Sequence, residues 1–231
     1  MKRKFIKKTV SAILSVLLIL TLTVGISAHE MFYLDYGTYY VPIELKWVNM
    51  LNGKAYLKVN SDGLSNAPVW GNNYTIYVEQ YANTKYVWNN CASSVTVTST
   101  SANNATVIYT TPSETEWRWL VGEGEEYDVF GTTRLYDSSS NYIQNVYTAS
   151  ISNGNIVKAY IYMSPYVNAR FNGNSTAVRA TFVHETGHAL TLGHPNTSYD
   201  YVNVASVMIS GQTVYTTYQP HDEGDIRAKY G

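Results

Sequence analysis

The chain has a single cysteine, Cys91, among 231 residues. One thiol cannot close an intramolecular disulfide, so the fold must rest on its apolar core and on any ions that it binds. We interpret Cys91 as a small buried hydrophobic residue rather than as a redox switch.

Charge is also scarce, because Lys, Arg, Asp and Glu make up only 14% of the residues. Beyond position 28 the chain carries 11 basic and 17 acidic residues, a formal net charge of −6. This balance excludes the basic face on which nucleic acid binding depends. Aromatic residues are abundant, with 22 Tyr, which excludes a disordered chain and suits an exported, β-rich globular domain.

Long apolar runs are absent except at the N-terminus. Basic residues at positions 2–8 precede an apolar stretch at 10–26 and small residues at 27 and 28. This order predicts a secretory signal peptide over 1–28, with a retained membrane anchor as the alternative. We therefore expect a secreted, extracellular protein without membrane contact after cleavage, with an N-terminal extension at 29–54 and one folded domain at 55–231.

Two of the five histidines, His184 and His188, are separated by four residues in an H-E-x-x-H pattern. On a helix these positions lie on one face, so the two imidazoles can bind one ion. His194 can join them only if the chain turns after Leu190. Three imidazoles leave one corner of a tetrahedral Zn²⁺ open for water, and Glu185 can take a proton from that water.

The segment His184–His194 resembles the zinc-binding consensus of the metzincin metallopeptidases, and Met208 in Ser206-Val207-Met208 is similar to their Met-turn. The tail at 222–231 resembles the last helix of the matrixins within that group. Two positions depart from the pattern. The glycine of the consensus is Thr191 here, so the turn must be strained at Thr191 or shifted to Gly193, and Ser210 replaces a tyrosine that could supply a fifth ligand.

The resemblance implies an α+β fold: a twisted mixed sheet of about five strands with two long helices, and a small C-terminal subdomain containing the Met-turn and a final helix. Met208 would form an apolar floor beneath the metal. An antiparallel edge strand over 132–136 would pair with the peptide substrate, which makes Thr132, Thr133 and Arg134 candidate substrate contacts. Tyr215 is a further weak candidate, and the chain is expected to be a monomer.

Local patterns predict the individual elements. We expect a first strand at 55–59 ended by a turn at 60–63, a helix from about 74 to 88 with a tyrosine-rich buried face, and strands at 95–98, 105–110 and 156–163. The helix at 176–192 should be capped by Asn174 or Ser175, and Asp222 should cap the last helix. Residues 113–126 are predicted to be an acidic loop. Glu123, Glu125, Glu126 and Asp128 can hold Ca²⁺ there, although a solvated loop is the simpler interpretation.

The sequence therefore predicts a secreted bacterial zinc endopeptidase acting on a protein or peptide substrate. Two alternatives stay open: a non-catalytic metzincin-fold binding protein, and a zinc amidase that acts on cell-surface material. Glu185 argues against the first, because a binding scaffold has no need of a general base.

Overall fold

The computed structural model describes residues 33–35, 40–42, 46–47, 54–64, 74–143, 155–166, 174–195, 205–209, 211 and 214–231. The predicted signal peptide at 1–28 and most of the extension at 29–54 lie outside these residues, as does Ser210. No helix in the described ranges is both long and apolar enough to cross a bilayer.

The described residues form an α+β fold around a five-stranded mixed sheet, as predicted. The strands in chain order are β1 (Tyr33–Asp35), β2 (Tyr40–Pro42), β3 (Lys46–Trp47), β4 (Ala55–Gly63), β5 (Val95–Ser99), β6 (Val107–Thr110), β7 (Gly131–Tyr136), β8 (Asn155–Ile156) and β9 (Lys158–Met163). The order in the main sheet is β5-β4-β6-β9-β7. Its first three pairs are parallel, whereas β7 runs antiparallel to β9 at the edge. The extension contributes the β1–β2 hairpin and β3, which pairs with β8.

Four helices accompany the sheet in the described part of the chain: α1 (Tyr74–Thr84), α2 (Glu114–Val121), α3 (Ser175–Ala189) and α4 (Pro220–Tyr230). Short 3-10 turns span Val87–Asn90 and Ala102–Asn104. The predicted first helix is therefore shorter than its pattern indicated, because Trp88 belongs to the 3-10 turn.

An aromatic layer joins α1 and α3 to the sheet. Tyr77 meets Phe182 edge-on with centroids 5.9 Å apart, and Tyr81 lies 4.9 Å from Tyr109 of β6. The Tyr109 hydroxyl contacts Thr186 Oγ1 at 2.7 Å. The tyrosine-rich face of α1 is thus core, as predicted, and it fixes α3 against the sheet. Cys91 is also buried, which raises the pKa of its thiol to about 12 and supports its interpretation as a hydrophobic residue.

Three local predictions were wrong. Residues 114–121 form α2 rather than a loop: Ser113 Oγ accepts from Glu116 N as the N-cap, and the helix ends at Gly122 with φ +102°. Strand β4 continues through the predicted turn, because Asn60 hydrogen bonds with Asp62 and with Thr100 O while the pairing register shifts. The N-cap of α4 is Gln219, not Asp222, whose carboxylate instead accepts from Gln219 N at 2.7 Å.

Candidate metal centre

Helix α3 carries two histidines on one face. It begins at the predicted cap, where Asn174 Oδ1 accepts from Thr176 N and Ala177 N. One turn separates His184 from His188, and their ring centroids lie 4.6 Å apart at 90°. The helix therefore presents two imidazoles to one point in space.

The chain reverses at Thr191, where φ is +67°. Thr191 N bonds to His188 O and Leu192 N bonds to Gly187 O, which is the paired hydrogen-bond pattern that usually ends with glycine in the left-handed position. A β-branched residue in this conformation carries about 1–2 kcal/mol of strain. Of the two predicted outcomes, strain at Thr191 is the one observed, and Gly193 does not have a positive φ.

Side chains from both ends of the chain hold this turn. Trp47 Nε1 donates to Ala189 O at 2.8 Å, and Tyr230 OH donates to Leu190 O at 2.8 Å. The Tyr230 hydroxyl also contacts Thr191 Oγ1 at 3.3 Å. The last carbonyl groups of α3, which have no partner within the helix, are thereby satisfied.

The turn brings His194 back to the helix. Its Nε2 lies 3.1 Å from Nε2 of His184 and 3.0 Å from Nε2 of His188. Two nitrogens bound to one tetrahedral zinc at 2.0–2.1 Å would be separated by about 3.3 Å. The ligand atoms of the three histidines lie close enough together to hold one metal ion. In the described part of the chain, no other group of three or more His, Cys, Asp or Glu side chains does so.

The outer nitrogens of two rings are hydrogen bonded to main-chain carbonyls. His184 Nδ1 lies 2.8 Å from Val207 O, and His188 Nδ1 lies 2.8 Å from Leu192 O. Because a carbonyl oxygen can only accept, each Nδ1 carries the proton and each Nε2 turns a lone pair toward the cluster. Two inward lone pairs beside the His194 ring are the donors that a metal ion binds, so the donor set fits a metal ion.

The electrostatic surroundings of His188 favour its neutral form. Burial lowers the pKa of His188 well below its usual value, and His184 and His194 lower it further. Neutral imidazole is the form that binds metal.

Glu185 is buried beside this cluster, with 5% of its surface exposed. Thr133 Oγ1 donates to its carboxylate Oε2 at 2.8 Å and lies 2.9 Å from its main-chain oxygen. Burial raises the pKa of Glu185, while His184 and the Thr133 hydrogen bond act in the opposite direction. A carboxylate with a raised pKa is a stronger base than a free carboxylate, which favours a role in accepting a proton.

Two glycines make room for these side chains, and the sequence analysis missed both. A Cβ on Gly131 would lie 2.7 Å from Glu185 Cγ, and one on Gly187 would lie 2.3 Å from Met208 Sδ. The predicted floor residue, Met208, therefore packs directly against α3 between the two histidine turns. Only knowledge of which distant segments meet could have shown this.

A buried carboxylate anchors the Met208 segment. Asp222 of α4 accepts hydrogen bonds from Ser206 Oγ and, at 3.0 Å, from Val207 N. Val207 O contacts His184, so α4 is linked to one imidazole through a single residue.

The predicted substrate contacts lie in different places. Thr133 points toward α3 and holds Glu185, whereas Arg134 points to the opposite face of the sheet, where Nη2 donates to Leu120 O at 2.9 Å. Thr132 shares the Arg134 face by strand alternation. Tyr215 packs against the core as a partly buried side chain.

The acidic loop does not supply a metal site comparable with the histidine cluster. Glu126 Oε1 lies 3.3 Å from Arg118 Nε, and its Oε2 accepts from Gly124 N at 2.6 Å. Within the described ranges, the carboxylates of this loop do not form a group of three. The loop therefore matches the simpler interpretation, a solvated acidic loop, more closely than the Ca²⁺ alternative.

No protein-family model matches the chain. No curated protein matches it either.

Proposed function

We propose that this chain is a zinc endopeptidase of the metzincin type, secreted after removal of residues 1–28, that hydrolyses peptide bonds with Glu185 as general base. One observation carries the proposal: Nε2 of His194 lies 3.0 and 3.1 Å from Nε2 of His188 and His184, beside a buried carboxylate. A mixed five-stranded sheet with an antiparallel edge strand is compatible with this type.

When bound, zinc supplies a Lewis acid with an open position, where water becomes a nucleophile near neutral pH. The protein's own groups prepare that chemistry. The main-chain oxygens of Val207 and Leu192 hold the His184 and His188 rings with their Nε2 atoms inward. Glu185 removes a proton from water and passes it to the leaving amine, while Thr133 holds the carboxylate in place.

Substrate binding is assigned to β7. This strand pairs with β9 on one side and lies at the edge of the main sheet. An extended peptide can add to such an edge through main-chain hydrogen bonds, which gives affinity with little sequence preference. Because Thr133 of β7 touches Glu185, a peptide on this edge lies beside the general base.

The test is cleavage of a mixed peptide library by the purified protein, with and without a zinc chelator. Glu185→Gln removes the base but leaves all three histidines, so we expect bound zinc to persist and kcat to fall by about 10²–10⁴-fold. Glu123→Gln, in the exposed loop, is the matched control and should cleave at the wild-type rate.

Wild-type turnover by Glu185→Gln would show that the general-base assignment is wrong. A wild-type protein that binds zinc but cleaves no peptide would favour the binding or amidase alternatives. Cleavage of amide bonds in cell-wall fragments would then separate those two.

A further inference from the structure

A cavity of about 640 Å³ lies on the face of the sheet that points away from α3. Its walls come from α2, from β7 and β9, and from the loop after β7, with Trp119, Arg134, Tyr136 and Tyr142 among them. Neither Glu185 nor the zinc-site histidines line it. Its role is therefore independent of the proposed peptidase site.

Arg134 is the chemically distinctive residue of this cavity. The side chain is a buried cation, with 6% of the residue's surface exposed. Nη2 donates to Leu120 O, but the buried Nε has no hydrogen-bond partner in the part of the chain that the structure describes. Among the described residues no carboxylate forms an ion pair with this guanidinium. Glu116 lines the same cavity without forming an ion pair with Arg134. A buried cation without a paired anion is costly, and a ligand carboxylate that reaches the guanidinium would lower that cost.

Aromatic rings surround the guanidinium. Its Cζ lies 4.4 Å from the Tyr142 centroid and 5.1 Å from the Trp119 centroid. The rings partly stabilise the charge by cation–π attraction. Trp119 is 75% exposed, so much of its indole is free to stack against a ligand. A large exposed indole at the mouth of a cavity is typical of a binding surface rather than of core packing.

We propose that this cavity binds a sugar unit that carries a carboxylate, of the hexuronic acid class. The carboxylate pairs with Arg134, and the C–H face of the sugar ring stacks on Trp119. Glu116 and Ser140, which also line the cavity, offer hydrogen-bonding partners for ring hydroxyls. Glu116 disfavours a second negative charge beside Arg134, so the sugar unit bound in the cavity presents one carboxylate there, as each unit of a polyuronate does.

The test is calorimetric titration of the purified protein with trigalacturonate and, as the matched neutral ligand, galactotriose. We expect the acidic trisaccharide to bind and the neutral one to bind at least about tenfold more weakly, the usual effect of losing a charged hydrogen bond. Binding should be the same with zinc and with a chelator, because the cavity contains no zinc ligand. This separates failure of the sugar site from failure of the peptidase proposal.

Two variants locate the site. Trp119→Ala changes an exposed side chain and should weaken trigalacturonate binding about three- to tenfold, while zinc content and peptide cleavage stay at wild-type levels. Arg134→Met should abolish the preference for the acidic sugar. Tyr86→Ala, an exposed aromatic outside the cavity, is the control and should bind like wild type.

Three results would overturn the proposal: no trigalacturonate binding to the wild-type protein, equal affinity for both trisaccharides, or unchanged affinity in Trp119→Ala. Tighter binding of a glutamate-rich peptide than of trigalacturonate would assign the cavity to acidic peptides instead. If Arg134→Met fails to fold, the comparison of the two sugars and the Trp119 variant still decide the matter.

Discussion

The contact between Gly187 and Met208 predicts a specific energetic coupling beneath the metal centre. A Cβ on Gly187 would lie 2.3 Å from Met208 Sδ and 3.0 Å from Trp88 Cζ2, and both neighbouring side chains are fully buried. Met208 therefore has no solvent into which it can move. Gly187→Ala should force the methionine and the helix apart.

The size of the effect follows from two opposing contributions. Overpacking a core by one methyl group costs about 1–3 kcal/mol. Replacing glycine by alanine within a helix returns about 0.5–1 kcal/mol. We expect a net loss of about 1–2 kcal/mol in the free energy of unfolding, which lowers Tm by about 2–8 °C for a chain of this size.

A double-mutant cycle isolates the contact. Met208→Ala alone should cost about 2–5 kcal/mol, because it leaves a cavity. In the double variant the new methyl group at 187 no longer meets sulfur, so the two changes together should cost about 1–3 kcal/mol less than their sum. Urea unfolding followed by circular dichroism, at one fixed zinc concentration, measures all four proteins. Additivity within about 0.5 kcal/mol would refute the reasoning.

Two further predictions concern the second layer of contacts around the site. In Thr133→Val the Glu185 carboxylate loses a hydrogen bond that lowers its pKa. Since the base must be ionised to act, the acidic limb of the pH profile of kcat/KM should move to higher pH. An acidic limb that stays in place or moves to lower pH would contradict the contact between Thr133 and Glu185. Tyr230→Phe removes the donor to Leu190 O and should cost about 1–3 kcal/mol of unfolding free energy and speed zinc release, because the strained turn before His194 loses its support. Unchanged zinc dissociation in Tyr230→Phe would show that the turn holds without it.

The convergence of the three histidines could be predicted because the pattern that produces it lies within eleven consecutive residues, 184–194. Helical periodicity alone aligns His184 with His188. The missing glycine at 191 predicted either strain at Thr191 or a turn shifted to Gly193, and the structure shows strain at Thr191. The strain is tolerated because Trp47 and Tyr230, far away in the chain, satisfy the carbonyls at the end of α3. Their part in the turn could not be seen in any local pattern.

The predictions for residues 113–126 and for Arg134 failed because tertiary contacts decide the structure there. Two glycines and several acidic residues made 113–126 look like a loop, but Ser113 caps a helix whose Trp117 is fully buried, and Gly122 merely ends it. Burial of a tryptophan is a tertiary effect that outweighs weak local propensity. The direction of Arg134 was likewise invisible in the sequence, because alternation along β7 assigns faces only once the position of α3 is known.

The central claim is that His184, His188 and His194 bind one zinc ion. Elemental analysis of the purified protein, before and after replacement of His194 by alanine, tests it most directly. We expect about one zinc per wild-type chain, and a large loss of bound zinc in His194→Ala, because two imidazoles remain where three converged. A wild-type chain without zinc, or a His194→Ala chain that retains it as tightly, would show that these histidines do not form the zinc site.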